Sequence, residues 1–208
     1  YDSWMASRRM VASLDATTTQ LNLSGACRMA GPNSGNRYFV QGSFRYLDAP
    51  GEFFVNSSSS ESFVYYVPRD DAERAAMAAG TLSAVLSVLD GDLVVLDTTT
   101  NVTLDKLTFS HVSWDVARAV TMSGNVQAAS FLNTSALRLH AAKGCTIQSC
   151  TVSHVGQYGV WLHGGSTENT LQDNNITDLG AGGIRIGTGK PLVDHPCTHT
   201  APLPNRHR

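Results

Sequence analysis

The sequence is poor in charge and has no long apolar segment. Charged residues make up 15% of the 208 residues, against roughly 25% in an average soluble domain, and the formal net charge is only −2. This balance gives no electrostatic reason to expect nucleic acid or an anionic membrane as a partner. No apolar run approaches the roughly 20 residues that span a bilayer, so a transmembrane protein is excluded. Hydrophobic residues, at 42%, are still enough for the core of one domain, which excludes disorder for most of the chain.

Cysteine is scarce as well. Cys27, Cys145, Cys150 and Cys197 show no Cys-x-x-Cys pairing. They therefore indicate neither a zinc site nor a disulfide framework, and we expect buried free thiols. The sequence predicts no metal and no cofactor.

The N-terminus shows no signal-peptide pattern. The chain opens on Tyr1 without a basic-then-apolar leader, so we expect an incomplete N-terminus, and the missing signal peptide says little about export. Asn-x-Ser/Thr sequons are more frequent than chance suggests, which favours an extracellular or secreted protein. The sequons begin at Asn22, Asn56, Asn101, Asn133 and Asn175.

A repeat occupies the second half of the chain. Residues 144–156 align with 168–180, and the apolar and glycine positions coincide. An earlier copy begins at residue 101, and its third strand is expected at 136–140 because residues 115–134 are inserted. Three copies of one unit are therefore present.

Each unit contains three short stretches of alternating apolar residues, separated by Asn, Gly, Ser and Asp. Alternation with period two is typical of strands. Because the same face recurs in every copy, we predict an all-β fold, a short right-handed parallel β-helix. A leucine-rich repeat of similar period would need a Leu-x-x-Leu-x-Leu frame and a helical side, and the sequence has neither. The predicted inward ladders are Ile147/Leu171, Val152/Ile176 and Val160/Ile184.

The first hundred residues do not repeat. They alternate strand-like runs with turn clusters, and residues 70–79, rich in Ala, Glu and Arg, predict one short helix. We therefore predict a β-rich subdomain over 1–97, β-helix rungs over 98–187 with the insert at 115–134, and an irregular tail over 188–208. An open rung edge at 183–187 predicts a marginally stable or association-prone protein.

Several motifs carry a resemblance to a known family. The chain resembles right-handed β-helix repeat proteins of the pectin-lyase-like superfamily, many of them related to glycoside hydrolases, over about residues 1–187. The resemblance implies a carbohydrate-active protein. The relatives continue into further rungs where this chain has residues 188–208, so we expect a C-terminally truncated helix. The motifs are Trp4-x-x-Ser7-Arg8, Val11-Ala12-Ser13-x-Asp15, Leu47-Asp48-Ala49-Pro50-Gly51-Glu52-Phe53-Phe54, Val64-Tyr65-Tyr66-x-Pro68 and Asp178-Leu-Gly-Ala-Gly-Gly-Ile184.

Alternation along the third strand of each unit places one group of candidate site residues. Val160 points inward, so Trp161 points outward, with Arg138 one rung below and Arg185 one rung above. We predict an exposed column in which the indole stacks on a sugar and the guanidiniums bind hydroxyls or a uronate carboxylate. A surface cation–π ladder without a ligand is the alternative.

Two further columns flank this strand. His111, His154 and Asp178 lie in the turn that leads to it, and His140 and His163 lie just past its end. We assign His154 and His163 to substrate binding, because titratable groups along one side of a solenoid suit acid–base chemistry on a glycan. Hydrogen-bonded turn positions are the alternative for the histidines.

Asp178 is the best catalytic candidate. Gly180, Gly182 and Gly183 beside it would let a ligand approach closely, although an Asp before Gly also commonly caps a turn. Glycoside hydrolysis needs two carboxyls, and the partner is expected to be Asp115 in the insert or an acid on the further rungs that the relatives have.

The leading function hypothesis is a glycoside-hydrolase-like protein acting on a polysaccharide or oligosaccharide. A non-catalytic glycan-binding or surface β-helix and an inactive truncated fragment are the alternatives. A polysaccharide lyase ranks lower, because no cluster of three acids lies near the arginines to hold Ca²⁺.

Overall fold

The computed structural model describes residues 6–7, 10–15, 17–18, 20–24, 38–56, 61–113, 124–126, 129–130, 133–188 and 201–202. The chain divides into two compact units, one of residues 1–36 and 86–208, the other of residues 37–85. The strands are β1 (Ala6–Ser7), β2 (Val11–Asp15), β3 (Gln20–Leu23), β4 (Phe53–Asn56), β5 (Phe63–Tyr66), β6 (Val94–Asp97), β7 (Thr103–Asp105), β8 (Thr108–Val112), β9 (Gly124–Val126), β10 (Ala129–Ser130), β11 (Ser135–His140), β12 (Thr146–Gln148), β13 (Thr151–Val155), β14 (Tyr158–Leu162), β15 (Thr170–Gln172), β16 (Asn175–Leu179), β17 (Ile184–Ile186) and β18 (Ala201–Pro202). The described helices are a 3₁₀-helix (Phe44–Tyr46) and α1 (Asp71–Ala78).

Three parallel sheets form the larger part of the first unit. Sheet 1 contains β6, β11, β14 and β17, sheet 2 contains β7, β12 and β15, and sheet 3 contains β8, β13 and β16. The chain visits sheets 1, 2 and 3 in that order three times and then returns to sheet 1 with β17. The parallel β-helix predicted from the repeat is therefore confirmed, with three complete rungs and one further strand among the described residues.

The strand register matches the sequence alignment of the copies. Ile147 pairs with Leu104 below and Leu171 above, and Val152 pairs with Phe109 and Ile176. One strand was not foreseen as part of the stack. β6 pairs with β11, so the stack begins at Val94, four residues before the predicted start of the rungs.

The core lies between the three sheets. The inward side chains of the middle strands are almost completely buried, and each contributes about 1.5–3 kcal/mol relative to exposure. Leu104 and Phe109 in the first rung and Leu171 and Ile176 in the third are only partly buried. The last strand differs, because Ile184 and Ile186 are 49% and 78% exposed. The core therefore closes in the middle rungs and stays open at β17. The most buried side chains are Leu137, Leu139, Ile147, Val152, Val155 and Val160.

The cysteine prediction is confirmed for the two residues that can be described. Cys145 and Cys150 are free and buried at the corners of the second rung. Cys27 and Cys197 lie outside the described residues.

Left-handed backbone marks the corners of the rungs. Ten non-glycine residues of the described ranges have φ between +48° and +66°, and they fall at equivalent positions of the rungs. A single side chain in this region is costly, so the recurrence shows that stacking between rungs imposes the corners. The corner sets are Thr98/Ala141, Asn101/Glu168, Lys106/Ser149/Asp173 and His111/His154/Asp178.

Two asparagines tie the second rung to the third. Asn174 Oδ1 accepts a hydrogen bond from Cys150 N at 2.9 Å, and its Nδ2 donates to Ile147 O at 2.8 Å. Asn169 makes the same pair of contacts around Cys145. These side chains satisfy backbone groups that the corners remove from the sheets.

Asn174→Ala is expected to lower the free energy of unfolding by about 2–4 kcal/mol, because it leaves a donor and an acceptor unpaired. Asn175→Ala is the matched control. Its side chain is exposed, and the expected change is within about 0.5 kcal/mol. Urea denaturation of both variants measures the difference. Equal destabilisation by the two substitutions would show that Asn174 does not tie the rungs together.

The second unit contains a hairpin and a helix. β4 pairs antiparallel with β5, and α1 begins after Asp70, whose Oδ1 accepts a hydrogen bond from Glu73 N at 2.8 Å. Glu73 Oε2 accepts hydrogen bonds from Tyr66 OH at 2.5 Å and Arg69 N at 2.9 Å. The short helix predicted over 70–79 is confirmed, and its first turn is fixed by the Asp70 cap. No helix in the described ranges is long and apolar enough to cross a membrane.

The insert and the tail can be described only in part. In the insert, β9 pairs with β1 and β10. In the tail, β18 pairs with β3. Residues 114–123, which include Asp115, and residues 189–200 and 203–208 lie outside the described residues.

Candidate functional site

The predicted column on sheet 1 exists in register. Arg138 pairs with Trp161, and Trp161 pairs with Arg185, on three successive strands. Their inward neighbours on β14 and β11, Val160 and Leu137, are buried in the core. The outer face of sheet 1 therefore carries an arginine, a tryptophan and an arginine in line.

The prediction that Trp161 is an exposed aromatic plate is wrong. Trp161 is 4% exposed, because the Arg185 guanidinium lies 4.1 Å from the ring centroid. The His163 ring meets the indole edge-to-face at 4.6 Å, and Trp161 Nε1 donates to Gly187 O at 2.8 Å. Arg185 thus occupies the place that a sugar would take. The cation–π alternative describes this pair.

Arg138 is held by an acid that the sequence analysis missed. Its Nη2 lies 3.0 Å from Asp92 Oδ2, and the Asp92 side chain is only 7% exposed. Asp92 precedes the first strand of the stack and lies outside the repeated motif, so the alignment of copies gave no signal for it. Arg138 Nε is buried and has no hydrogen-bond partner in the part of the chain that the structure describes.

A second missed acid extends the histidine column past the strand end. Asp97 pairs in register with His140, and its Oδ1 lies 2.8 Å from His140 Nδ1. The hydrogen bonds from His140 and Thr98 lower the pKa of Asp97 below its usual value. The His140 and His163 rings are 5.0 Å apart. Asp97 precedes His140 by the same separation that relates Leu104 to Ile147, and this spacing could have revealed it.

Within this column, His163 contacts both His140 and Trp161. Its Nδ1 is buried and lacks a hydrogen-bond partner among the described residues. Burial lowers the pKa of His163, and the charges of His140, Arg138 and Arg185 lower it further. A neutral imidazole is therefore favoured beside two guanidiniums, and a neutral imidazole can accept a proton.

Stability is expected to fall as the pH drops below about 6.5, because the unfolded chain then binds a proton that folded His163 takes up only at lower pH. The loss grows until the pH reaches the folded-state pKa. Urea midpoints at about pH 7.5 and about pH 5.5 measure it. His163→Gln is expected to reduce the drop, whereas the control His154→Gln keeps it. An unchanged drop in His163→Gln would assign the pH dependence to other groups.

The column before the strand is confirmed, but its residues lie within β8, β13 and β16 of sheet 3 and not in the turn that follows. The His111 and His154 rings stack at 5.2 Å with an interplanar angle of 9°. His154 Nδ1 lies 2.5 Å from Asp178 Oδ2, and the two side chains are 58% and 70% exposed. This exposed Asp–His pair and the Asp97–His140 pair flank the outer face of sheet 1 on opposite edges.

The expected approach of a ligand past three glycines is wrong for two of them. A Cβ on Gly180 would lie 2.3 Å from Gly156 O, and one on Gly182 would lie 2.7 Å from the Tyr158 ring. Only Gly183 has room, with Ile176 Cγ2 at 3.9 Å. Gly180 and Gly182 therefore serve the packing of one rung on the next.

The two exposed acids of these pairs do not form a hydrolytic pair. Asp97 ends β6, whereas Asp178 lies beyond the level of β14, two strand spacings or about 10 Å further along the axis. Glycosidase carboxyls lie about 5–9.5 Å apart, and the width of sheet 1 adds to the separation. Asp115, the predicted partner, lies outside the described residues. Among the described residues, no group of three or more His, Cys, Asp or Glu side chains could hold a metal ion.

Comparison with known families identifies the architecture. The model of the right-handed beta helix region matches residues 92–195, which is half of the chain. The chain belongs to the right-handed β-helix family. Membership confirms the handedness predicted from the repeat and the resemblance stated from the motifs. For this β-helix protein, neither the curated proteins nor the solved structures contain a significant match, so a function must be argued from the site.

Proposed function

We propose that this β-helix protein is carbohydrate-active and binds an acidic glycan along the outer face of sheet 1. The observation that carries the proposal is the in-register placement of Arg138 and Arg185 on either side of Trp161, next to His140 and His163. The two arginine strands lie two spacings apart, about 10 Å. That distance allows the two guanidiniums to contact different sugars of one chain.

The anionic ligand is proposed from the two guanidiniums themselves and not from an excess of positive charge on this face. Arg138 is paired with Asp92, which is buried, and Arg185 covers Trp161. Asp97 brings an exposed carboxylate to the edge of the face, where it contacts His140. Guanidiniums bind carboxylates with two parallel hydrogen bonds, so uronic acid residues fit this surface better than neutral sugars.

The reaction best supported by the described residues is elimination from a uronate. His140 Nδ1 is bonded to Asp97, which orients the ring so that Nε2 can take the proton next to the carboxylate. The electrons of that C–H bond form a C=C bond, and the C–O bond to the leaving sugar breaks. The leaving oxygen takes a proton from water or from a histidine of the same face, so atoms and charge balance. Arg138 or Arg185 would stabilise the charge that develops on the carboxylate.

Hydrolysis is the second candidate, and the His154–Asp178 pair favours it. Asp178 is exposed and hydrogen-bonded to an imidazole, as an acid/base group would be. It needs a second carboxyl within about 9.5 Å, and Asp97 is too far away. The hydrolase-like function predicted from the sequence thus depends on a partner from another part of the chain, such as Asp115.

A product assay tests the proposal. The protein is incubated with a uronic-acid polysaccharide and with the neutral polysaccharide of the same linkage, and binding, new reducing ends and the ultraviolet absorbance of an unsaturated sugar are followed. We expect binding of the acidic chain and formation of unsaturated ends. Reducing ends without unsaturation would show hydrolysis, and binding without new ends would show a glycan-binding module. Binding of neither polysaccharide would contradict the proposed function.

A further inference from the structure

We propose that Asp92 is a positioning residue that holds the Arg138 guanidinium in place on the outer face of sheet 1. The inference rests on the proposed function, because Arg138 is one of the two arginines assigned to the glycan. Asp92 itself is 7% exposed and cannot meet a polymeric ligand directly. Its effect on binding would therefore pass through Arg138.

Both oxygens of the Asp92 carboxylate are used. Oδ1 accepts from Ser135 N at 2.8 Å and lies 3.1 Å from Ser135 Oγ, while Oδ2 lies 3.0 Å from Arg138 Nη2. Ser135 is fully buried and begins β11, the strand that carries Arg138. The carboxylate is therefore fixed to the backbone of the same strand whose arginine it holds.

The contact with Asp92 explains why the Arg138 guanidinium keeps its orientation although its Nε is unpaired. Nη2 is engaged by Asp92, and Nε is buried without a hydrogen-bond partner among the described residues. An unpaired buried donor is costly, and a free Arg side chain would rotate to place it in water. The Asp92 contact opposes that rotation, so the guanidinium of this side chain, which is 35% exposed overall, stays in place on the outer face of sheet 1.

NMR of the Arg138 Nε–Hε group tests the anchor without any ligand. The signal is assigned by its disappearance in Arg138→Lys. Asp92→Asn keeps the acceptor for Ser135 but removes the charge, and it is expected to speed hydrogen exchange at Nε about tenfold or more as the side chain is released. The control is Asp105→Asn, which removes the charge of an acid that contacts a neighbouring rung on sheet 2, through Gln148 Nε2 at 3.2 Å. This variant should leave exchange unchanged.

Binding of a uronic-acid oligosaccharide tests the consequence for the site. Asp92→Asn is expected to weaken binding about tenfold or more, because a displaced guanidinium loses its alignment. In an Arg138→Met background the same substitution should weaken binding less than about twofold, since the residue it positions is gone. A purely structural role would instead give losses that add.

Unchanged exchange at Arg138 Nε in Asp92→Asn, or additive losses in the double variant, would overturn the positioning role. If Asp92→Asn fails to fold, Asp92→Glu moves the charge by one methylene, and faster exchange at Arg138 is again the expected result. A wild-type protein that binds no uronic-acid oligosaccharide contradicts the proposed function, and the exchange measurement then decides the positioning role alone.

Discussion

Gly180→Ala is expected to destabilise the protein by about 3 kcal/mol or more, or to prevent folding, because overpacking costs about 1–3 kcal/mol in general and more where the obstructing atoms cannot move. The new Cβ would lie 2.3 Å from Gly156 O and 2.7 Å from Gly156 C. These are backbone atoms of the rung below. Gly180 N also donates to Val155 O at 2.7 Å, so separating the two rungs to make room would break that bond.

The neighbouring Gly183→Ala is the matched control. Its Cβ would meet Ile176 Cγ2 at 3.9 Å, an ordinary van der Waals distance, and the expected change in the free energy of unfolding is within about 1 kcal/mol. Thermal and urea unfolding of both variants measure the contrast. If Gly180→Ala unfolds at the same urea concentration as the parent, rung contact at this corner is looser than the structure shows.

The two results together test why this segment is rich in glycine. The sequence alone suggested that the glycines make room for a ligand near Asp178. The structure indicates that Gly180 and Gly182 make room for Gly156 and Tyr158. A severe Gly180→Ala defect with a mild Gly183→Ala effect would confirm the packing role, and ligand space would then have to be sought on sheet 1.

The fold could be predicted because, in a solenoid, residues at equivalent positions of successive repeats pair with one another. Ile147 and Leu171 occupy the same place in two copies, so their pairing follows from alignment alone. β6 was missed as a rung strand because the first copy is interrupted by a long insert, and only the shared offset from Val94 to Leu137 reveals it. The repeat therefore predicts the middle of the stack well and its first strand poorly.

The sequence predicted which candidate residues lie in line on successive strands, but it did not predict which side chains they contact. Strand alternation correctly placed Arg138, Trp161 and Arg185 in line, but alternation says only that a side chain points away from the core. Whether it meets solvent depends on its neighbours, and Arg185 lies over the indole. Asp92 was not predictable, because the offset that relates the first two rungs brings it to Ser135, and the acid does not recur there.

The two Asp–His pairs offer matched controls for the reaction. Asp97–His140 and Asp178–His154 join the same atom types, an imidazole Nδ1 and a carboxylate oxygen, at 2.8 and 2.5 Å. Both pairs are exposed, so substitutions in either pair should have similarly small effects on folding. They differ in their surroundings, since only His140 contacts His163 and lies on the strand of Arg138.

His140→Gln is expected to lower the rate of uronate elimination by about 10²–10⁴-fold, the usual contribution of a positioned general base. His154→Gln should stay within about twofold of the parent, because its imidazole lies at the other edge of sheet 1. The rate is followed by the ultraviolet absorbance of the unsaturated product. Asp97→Asn should lower the rate less than His140→Gln does. It removes the carboxylate that orients the His140 ring, but the ring that takes the proton remains. A loss confined to His154→Gln and Asp178→Asn would move the chemistry to the opposite edge, where hydrolysis is the better account.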